Sequence, residues 1–145
     1  MKYFQGSLIL FLIFILTSCD HSIYVAVRNY KPACKVNVAY DGTNTFFNND
    51  TLFTHDLDDP KLHGSIVRIN TSPTSYSFIA PPGNEIGLRP QSFGQPIKQI
   101  EIMNSADSTW NINLWDRKQF KKLRKEGLIK IRRVIFISSI FIINK

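Results

Sequence analysis

A two-residue alternation of apolar side chains, recurring in short runs between turn residues, constrains this chain more than any other feature. Ile23, Val25 and Val27 alternate with Tyr24, Ala26 and Arg28. Asn29-Tyr30-Lys31-Pro32 breaks the run, and then Cys34, Val36, Val38 and Tyr40 alternate with Lys35, Asn37 and Ala39. Successive side chains of a strand point to opposite faces, so this pattern predicts strands with one face in a core and one in water.

The rest of the chain continues in the same vein. Asp41-Gly42 is a turn signal, and Thr45, Phe46 and Phe47 suit a short strand. Leu52 to Gly64, with Asp56, Asp58, Asp59 and Pro60, reads as a loop. Strand pattern returns at Ser65 to Asn70, and the turn Asn70-Thr71-Ser72-Pro73 leads into Tyr76, Phe78 and Ala80. Pro81-Pro82-Gly83-Asn84 is a further turn before a short strand over Glu85 to Leu88, and Pro90 to Pro96 is a second loop. Ile97 to Met103, and then Trp110, Ile112 and Leu114, alternate again around the polar turn Asn104 to Ser108. Many short strands between turns predict a mainly β chain, an antiparallel β-sandwich. An immunoglobulin-like arrangement is the expected form, on strand count and spacing alone, because no pair of cysteines flanks a tryptophan.

One short helix interrupts the pattern near the C-terminus, at about 117–126. Asp116 is placed to cap it, and Gln119 stands three residues on, as in a capping box. Trp115 and Phe120 have the spacing of a hydrophobic staple, and Gly127 is placed to end the helix. Ile129 to Ile137 reads as a strand. Val134 to Ile143 is nearly all apolar apart from Ser138 and Ser139. It predicts a buried strand up to Ile137, with the last residues open between that strand and a membrane-contacting tail.

The first nineteen residues have a different character. Lys2 is followed by the wholly apolar stretch Leu8 to Leu16, then by the small residues Thr17 and Ser18, and then by Cys19. A charged start, a short apolar core and a small-residue cleavage site describe a secretory signal peptide. The apolar run is half the ~20 residues a spanning helix needs. Leu16-Thr17-Ser18-Cys19 resembles the lipobox of bacterial lipoproteins. The resemblance implies cleavage before Cys19, a diacylglycerol on its sulfur with further acyl chains such as palmitate, and lipid attachment to a cell-envelope membrane, inner or outer. The expected organisation is a leader over 1–18 and a single domain over 19–145.

Charge is unevenly spread. The formal net charge is +7. Between Asp20 and Asp116 seven basic side chains face ten acidic ones, whereas from Arg117 to Lys145 ten basic side chains face only Glu126. Nine of those ten lie between Arg117 and Arg133. Lys118, Lys121, Lys122, Arg124 and Lys125 on the predicted helix are the candidate contact with an anionic surface. Membrane headgroups are the expected anions. A secreted chain does not meet nucleic acid, so none is expected as a partner.

Motifs for catalysis are lacking. There is no Gly-x-Ser-x-Gly elbow and no phosphate-cradling glycine loop. His55, Asp56, Asp58, Asp59 and His63 gather possible ligands, yet their spacing matches neither a calcium loop nor His-Glu-x-x-His. No metal site, cofactor or catalytic residue is therefore expected. Cys34 reads as a small buried hydrophobe on its strand. The first expectation is a lipid-anchored, non-catalytic binding or structural module with an envelope protein or glycan as partner. A membrane-surface protein using its basic C-terminal segment comes second, and an envelope enzyme third.

Overall fold

The computed structural model describes residues 22–41, 51–69, 71–88, 97–105, 108–134 and 137–145. The leader, Cys19, the strand expected around Phe46 and the Pro90–Pro96 loop lie outside the described residues. The elements in chain order are β1 (Ser22–Asn29), β2 (Cys34–Tyr40), β3 (Thr51–Asp56), β4 (His63–Val67), β5 (Ser75–Ala80), β6 (Asn84–Leu88), β7 (Ile97–Ser105), β8 (Ser108–Asn113), α1 (Arg117–Lys125), β9 (Ile129–Val134) and β10 (Ile137–Asn144).

The strands form two sheets, ordered β4-β3-β6-β1-β10-β9 and β5-β2-β7-β8. One apolar core joins them. The larger sheet contributes Val25, Val27, Leu52, Ile86, Leu88, Ile129 and Ile142 to it, and the smaller sheet Val36, Val38, Tyr76, Phe78, Ile100, Ile102 and Ile112. Full burial of one such side chain contributes about 1.5–3 kcal/mol. The expected β-sandwich with one short helix is the observed architecture. It shares two packed sheets with immunoglobulin domains, but its strand order is not the ABED/CFG order of their constant type. All strand pairs among the described residues are antiparallel except β1 with β10, which run parallel from Ser22↔Ile137 to Asn29↔Asn144 in the interior of the larger sheet.

Three sequence expectations need correction. Leu52 to Gly64 is not one loop: β3 and β4 form a hairpin, with Leu52 opposite Ile66 and His55 opposite His63. Ile129 to Ile137 is not one strand, since β9 ends at Val134 and β10 begins opposite it at Ile137. The final residues are the interior strand β10, between β1 and β9, where Phe141, Ile142, Ile143 and Asn144 are all buried. A strand buried on both faces loses its alternation, which is why the pattern there was apolar without period.

The helix keeps most of its expected signals. Asp116 Oδ1 accepts the backbone N–H groups of Lys118 and Gln119. The capping box is only half made: Gln119 turns to β8 instead, where Oε1 accepts the Asn113 N–H and Nε2 donates to the Asn111 carbonyl. At the other end Leu128 N–H bonds to Leu123 O and Gly127 N–H to Arg124 O, a Schellman motif with Gly127 at φ 71°. Phe120 and Leu123 pack against the main core and fix α1 to the sandwich.

Asparagines fasten one end of the molecule. Asn29 and Asn144 are fully buried, and Asn144 Nδ2 donates to Asn29 Oδ1 at 2.8 Å and to Asn104 Oδ1 at 2.6 Å. Asn29 Nδ2 in turn reaches the carbonyls of Ala80, Pro81 and Pro32. Cys34 Sγ lies 3.6 Å from Asn144 Nδ2. Cys34 is buried, as its place on a strand predicted, and burial pushes its thiol pKa up against the opposing bond from Asn144.

Candidate functional site: a basic edge and an outer row

The basic residues assemble at one edge of the sandwich. Lys118, Lys121, Lys122 and Lys125 repeat at helical i, i+3, i+4 and i+7 spacing, so they share a face of α1. Together with Glu126 they line a shallow open groove. Arg117 and Arg124 lie on the same helix, and β9, the outermost strand of the larger sheet, adds Lys130, Arg132 and Arg133. All nine are exposed. Among the described residues the ion pair formed is Arg28–Glu85, which involves none of these nine side chains.

Stability alone would not select this arrangement. Lys118 with Lys122 and Lys121 with Lys125 are like-charge i,i+4 pairs, each costing about 0.2–0.5 kcal/mol. The first turn holds Arg117 and Lys118 and no acidic residue, which opposes the helix dipole. Only Lys122, Arg124 and Lys125 in the last turn are placed favourably. The Asp116 cap and the half-buried Phe120 and Leu123, packed against the core, hold the helix in spite of its charge. An anion seated on this edge would relieve the repulsion. Of the five candidate contact residues, Lys118, Lys121, Lys122 and Lys125 share one groove, Arg124 lies on the same helix outside it, and β9 adds further basic side chains.

A second polar constellation crosses the outward face of the larger sheet. Strand register sets His63, His55, Glu85, Arg28 and Ile143 side by side across β4, β3, β6, β1 and β10. Arg28 Nε donates to Glu85 Oε2 at 2.7 Å, and the guanidinium lies 3.9 Å over the Phe141 ring. Tyr24 Oη donates to Glu85 Oε1 at 3.3 Å. Partial burial, then the Glu85 charge and the bond to it, push the Tyr24 phenol up to about 12, with Arg28 opposing. Gly87 makes room for this contact, because a β-carbon there would lie 2.8 Å from Tyr24 Oη.

At the far end of the row His55 Nδ1 and His63 Nδ1 stand 2.7 Å apart, with the rings edge-to-face. The nearby aspartates do not join them. Asp56 Oδ1 accepts the N–H groups of Asp58 and Asp59, which holds its carboxyl below the usual range, the Asp59 bond contributing most. Asp59 Oδ1 accepts the N–H of Lys61. No group of three or more His, Cys, Asp or Glu among the described residues is arranged to hold a metal. The sequence put both histidines in an irregular loop and so missed their contact. The signal was there in their positions on either side of an Asp-Pro turn.

No helix among the described residues is long and apolar enough to cross a membrane. No protein-family model, curated protein sequence or solved structure matches this chain.

Proposed function

We propose that this protein is a cell-envelope lipoprotein, lipid-anchored through Cys19, whose β-sandwich is a non-catalytic binding module that meets anionic surfaces with its basic α1–β9 edge. The observation that carries the reading is the set of nine exposed basic side chains on two adjoining elements. Each Lys or Arg held near an anionic membrane contributes about 1 kcal/mol of attraction.

The route from the anchor supports the same reading. Cys19 and Ser22 are three residues apart, a reach of at most about 11 Å. The domain would therefore stand close to the membrane, with the start of β1 towards it. Ile23 pairs with Ser138, and Ser138 with Arg133, so Arg133 lies two strands away from that entry point, about 10 Å. The basic edge and the tether then act on one membrane surface, and the remaining loops of the sandwich stay open to an envelope protein or glycan.

The test is intact mass and membrane partition in a bacterial host, wild type against Cys19→Ala. Wild type is expected to carry acyl mass on Cys19 and to sediment with membranes, and Cys19→Ala to lose both. Cleaved, acyl-free and soluble protein from both genes would overturn the anchor and make this a secreted domain.

A further inference from the structure

We infer that His55 and His63 form a binding site for a late first-row divalent metal ion, Cu(II) before the others, on the outward face of the β3–β4 hairpin. The inference stands apart from the lipid anchor and the basic edge.

The backbone dictates the convergence. Asp56 N–H bonds to Leu62 O, so Asp56 and Leu62 are a hydrogen-bonded pair of the ladder. The adjacent pair, His55 and His63, is then of the non-hydrogen-bonded kind, in which α-carbons approach to about 4.5 Å and side chains stand closest. A tight turn pins the register, since Asp56 and Asp59 bond backbone N–H groups within it and Leu62 N–H bonds to Asp59 O. Both imidazoles therefore rise from paired strands rather than from a loose loop.

The nitrogen atoms are near the spacing that a metal requires. At 2.7 Å one Nδ1 carries the hydrogen and the other accepts it, so the two lone-pair directions meet between the rings. Two imidazole nitrogens about 2.0–2.1 Å from one ion are about 2.9 Å apart at a right angle and about 3.3 Å apart at the tetrahedral angle. The right-angled geometry of Cu(II) or Ni(II) is the closer fit, and small rotations of two solvent-facing side chains reach it. The metal takes the place of the shared hydrogen. The donor ring moves that hydrogen to its Nε2 through solvent, and the ion binds two neutral imidazoles.

Ligand chemistry narrows the choice of metal. None of the described carboxylates completes a group of three ligands with the two rings: Asp56 and Asp59 turn Oδ1 to N–H groups of the hairpin turn, and Glu85 is engaged by Arg28 and Tyr24. What remains is a pair of nitrogen donors, which favours the imidazole-preferring metals in the order that puts Cu(II) first. Water fills the other coordination positions.

The experiment titrates Cu(II) alone into the full chain in detergent, followed by calorimetry and by electron paramagnetic resonance. One equivalent is expected to bind with two imidazole nitrogens in the spectrum. His55→Gln and His63→Gln are each expected to weaken that binding at least tenfold, whereas His21→Gln leaves it unchanged. Thermal unfolding without metal checks that each variant is folded. Should either lose its transition, the two-imidazole spectrum of the His21→Gln chain decides by itself. Unchanged Cu(II) binding in both hairpin variants, or a one-imidazole spectrum in wild type, overturns the site.

Discussion

Asn144 Nδ2 donates to Asn29 Oδ1 at 2.8 Å across a sequence separation of 115 residues, and so fastens the last strand to the first inside the protein. The two amides do unequal work. Asn29 serves three backbone carbonyls, those of Ala80, Pro81 and Pro32, whereas Asn144 serves side-chain oxygens of Asn29 and Asn104. Asn29→Ala is expected to cost about 2–3 kcal/mol and Asn144→Ala about 1–2 kcal/mol, because the first removes a donor shared by three backbone carbonyls and the second a donor to two side-chain oxygens. Urea unfolding of the two variants measures the difference. An equal or reversed order would remove Asn29 as the hub of the cluster.

Vesicle co-sedimentation tests the basic edge. The full chain with Cys19→Ala, purified in detergent and diluted, is expected to bind anionic vesicles at low salt and to lose binding as salt screens the charges. Replacing Lys118, Lys121, Lys122 and Lys125 by Gln is expected to weaken that binding at least tenfold. Binding to neutral and anionic vesicles alike, or no effect of the four substitutions, would detach α1 from the proposed role.

Both ends of α1 have measurable worth. Asp116→Ala removes the acceptor of two backbone N–H groups and is expected to cost about 1 kcal/mol. Gly127→Ala forces a β-carbon into the left-handed region and is expected to cost about 1–2 kcal/mol. Thermal unfolding that leaves both variants at the wild-type midpoint would show that the helix is held by Phe120 and Leu123 without its caps.

Alkaline pH should weaken the fold through Tyr24. Its phenol ionises near 10 in the unfolded chain and at about 12 in the folded one. The stability linked to it is complete below about pH 10 and is lost as the pH rises through about 12, because the unfolded state gives up the proton first. The urea midpoint of wild type is expected to fall more steeply than that of Tyr24→Phe across this window. Parallel lines would show that Glu85 and burial do not hold the proton.

Legibility in the sequence followed burial. Cys34–Tyr40 was read with its true bounds because one face is buried and the other half-exposed, residue by residue. The hairpin of β3 and β4 was hidden. Strand pattern was read from Ser65 on, within β4, but its partner β3 was not: Phe53 stands out in water while Thr54 is buried, which spoils the polar–apolar beat of β3. Asp56, Asp58, Asp59 and Pro60 then dominate the segment as turn formers. Strand β10 was obscure for the opposite reason: Ile142 faces the main core while Phe141 and Ile143 fill a second cluster with Ala26, leaving no wet face to mark the period. Among the sites, nine cations in seventeen residues were plain from composition. The histidine contact was not, since it depends on hairpin register, which pairs residues eight apart.

The parallel pairing of Ser22–Asn29 with Ile137–Asn144 has a consequence for how the molecule comes into being. During synthesis β1 leaves the ribosome early and its neighbour β10 late, after every other described element. Until then the larger sheet has an open seam next to β1, and β6 with β1 on one side cannot join β9 on the other. Closing so distant a pair is slow, since the loop entropy is met before the contacts form. The nascent chain therefore has no stable half-product in which the larger sheet is complete, and loss of 137–145 should abolish cooperative folding rather than trim an edge.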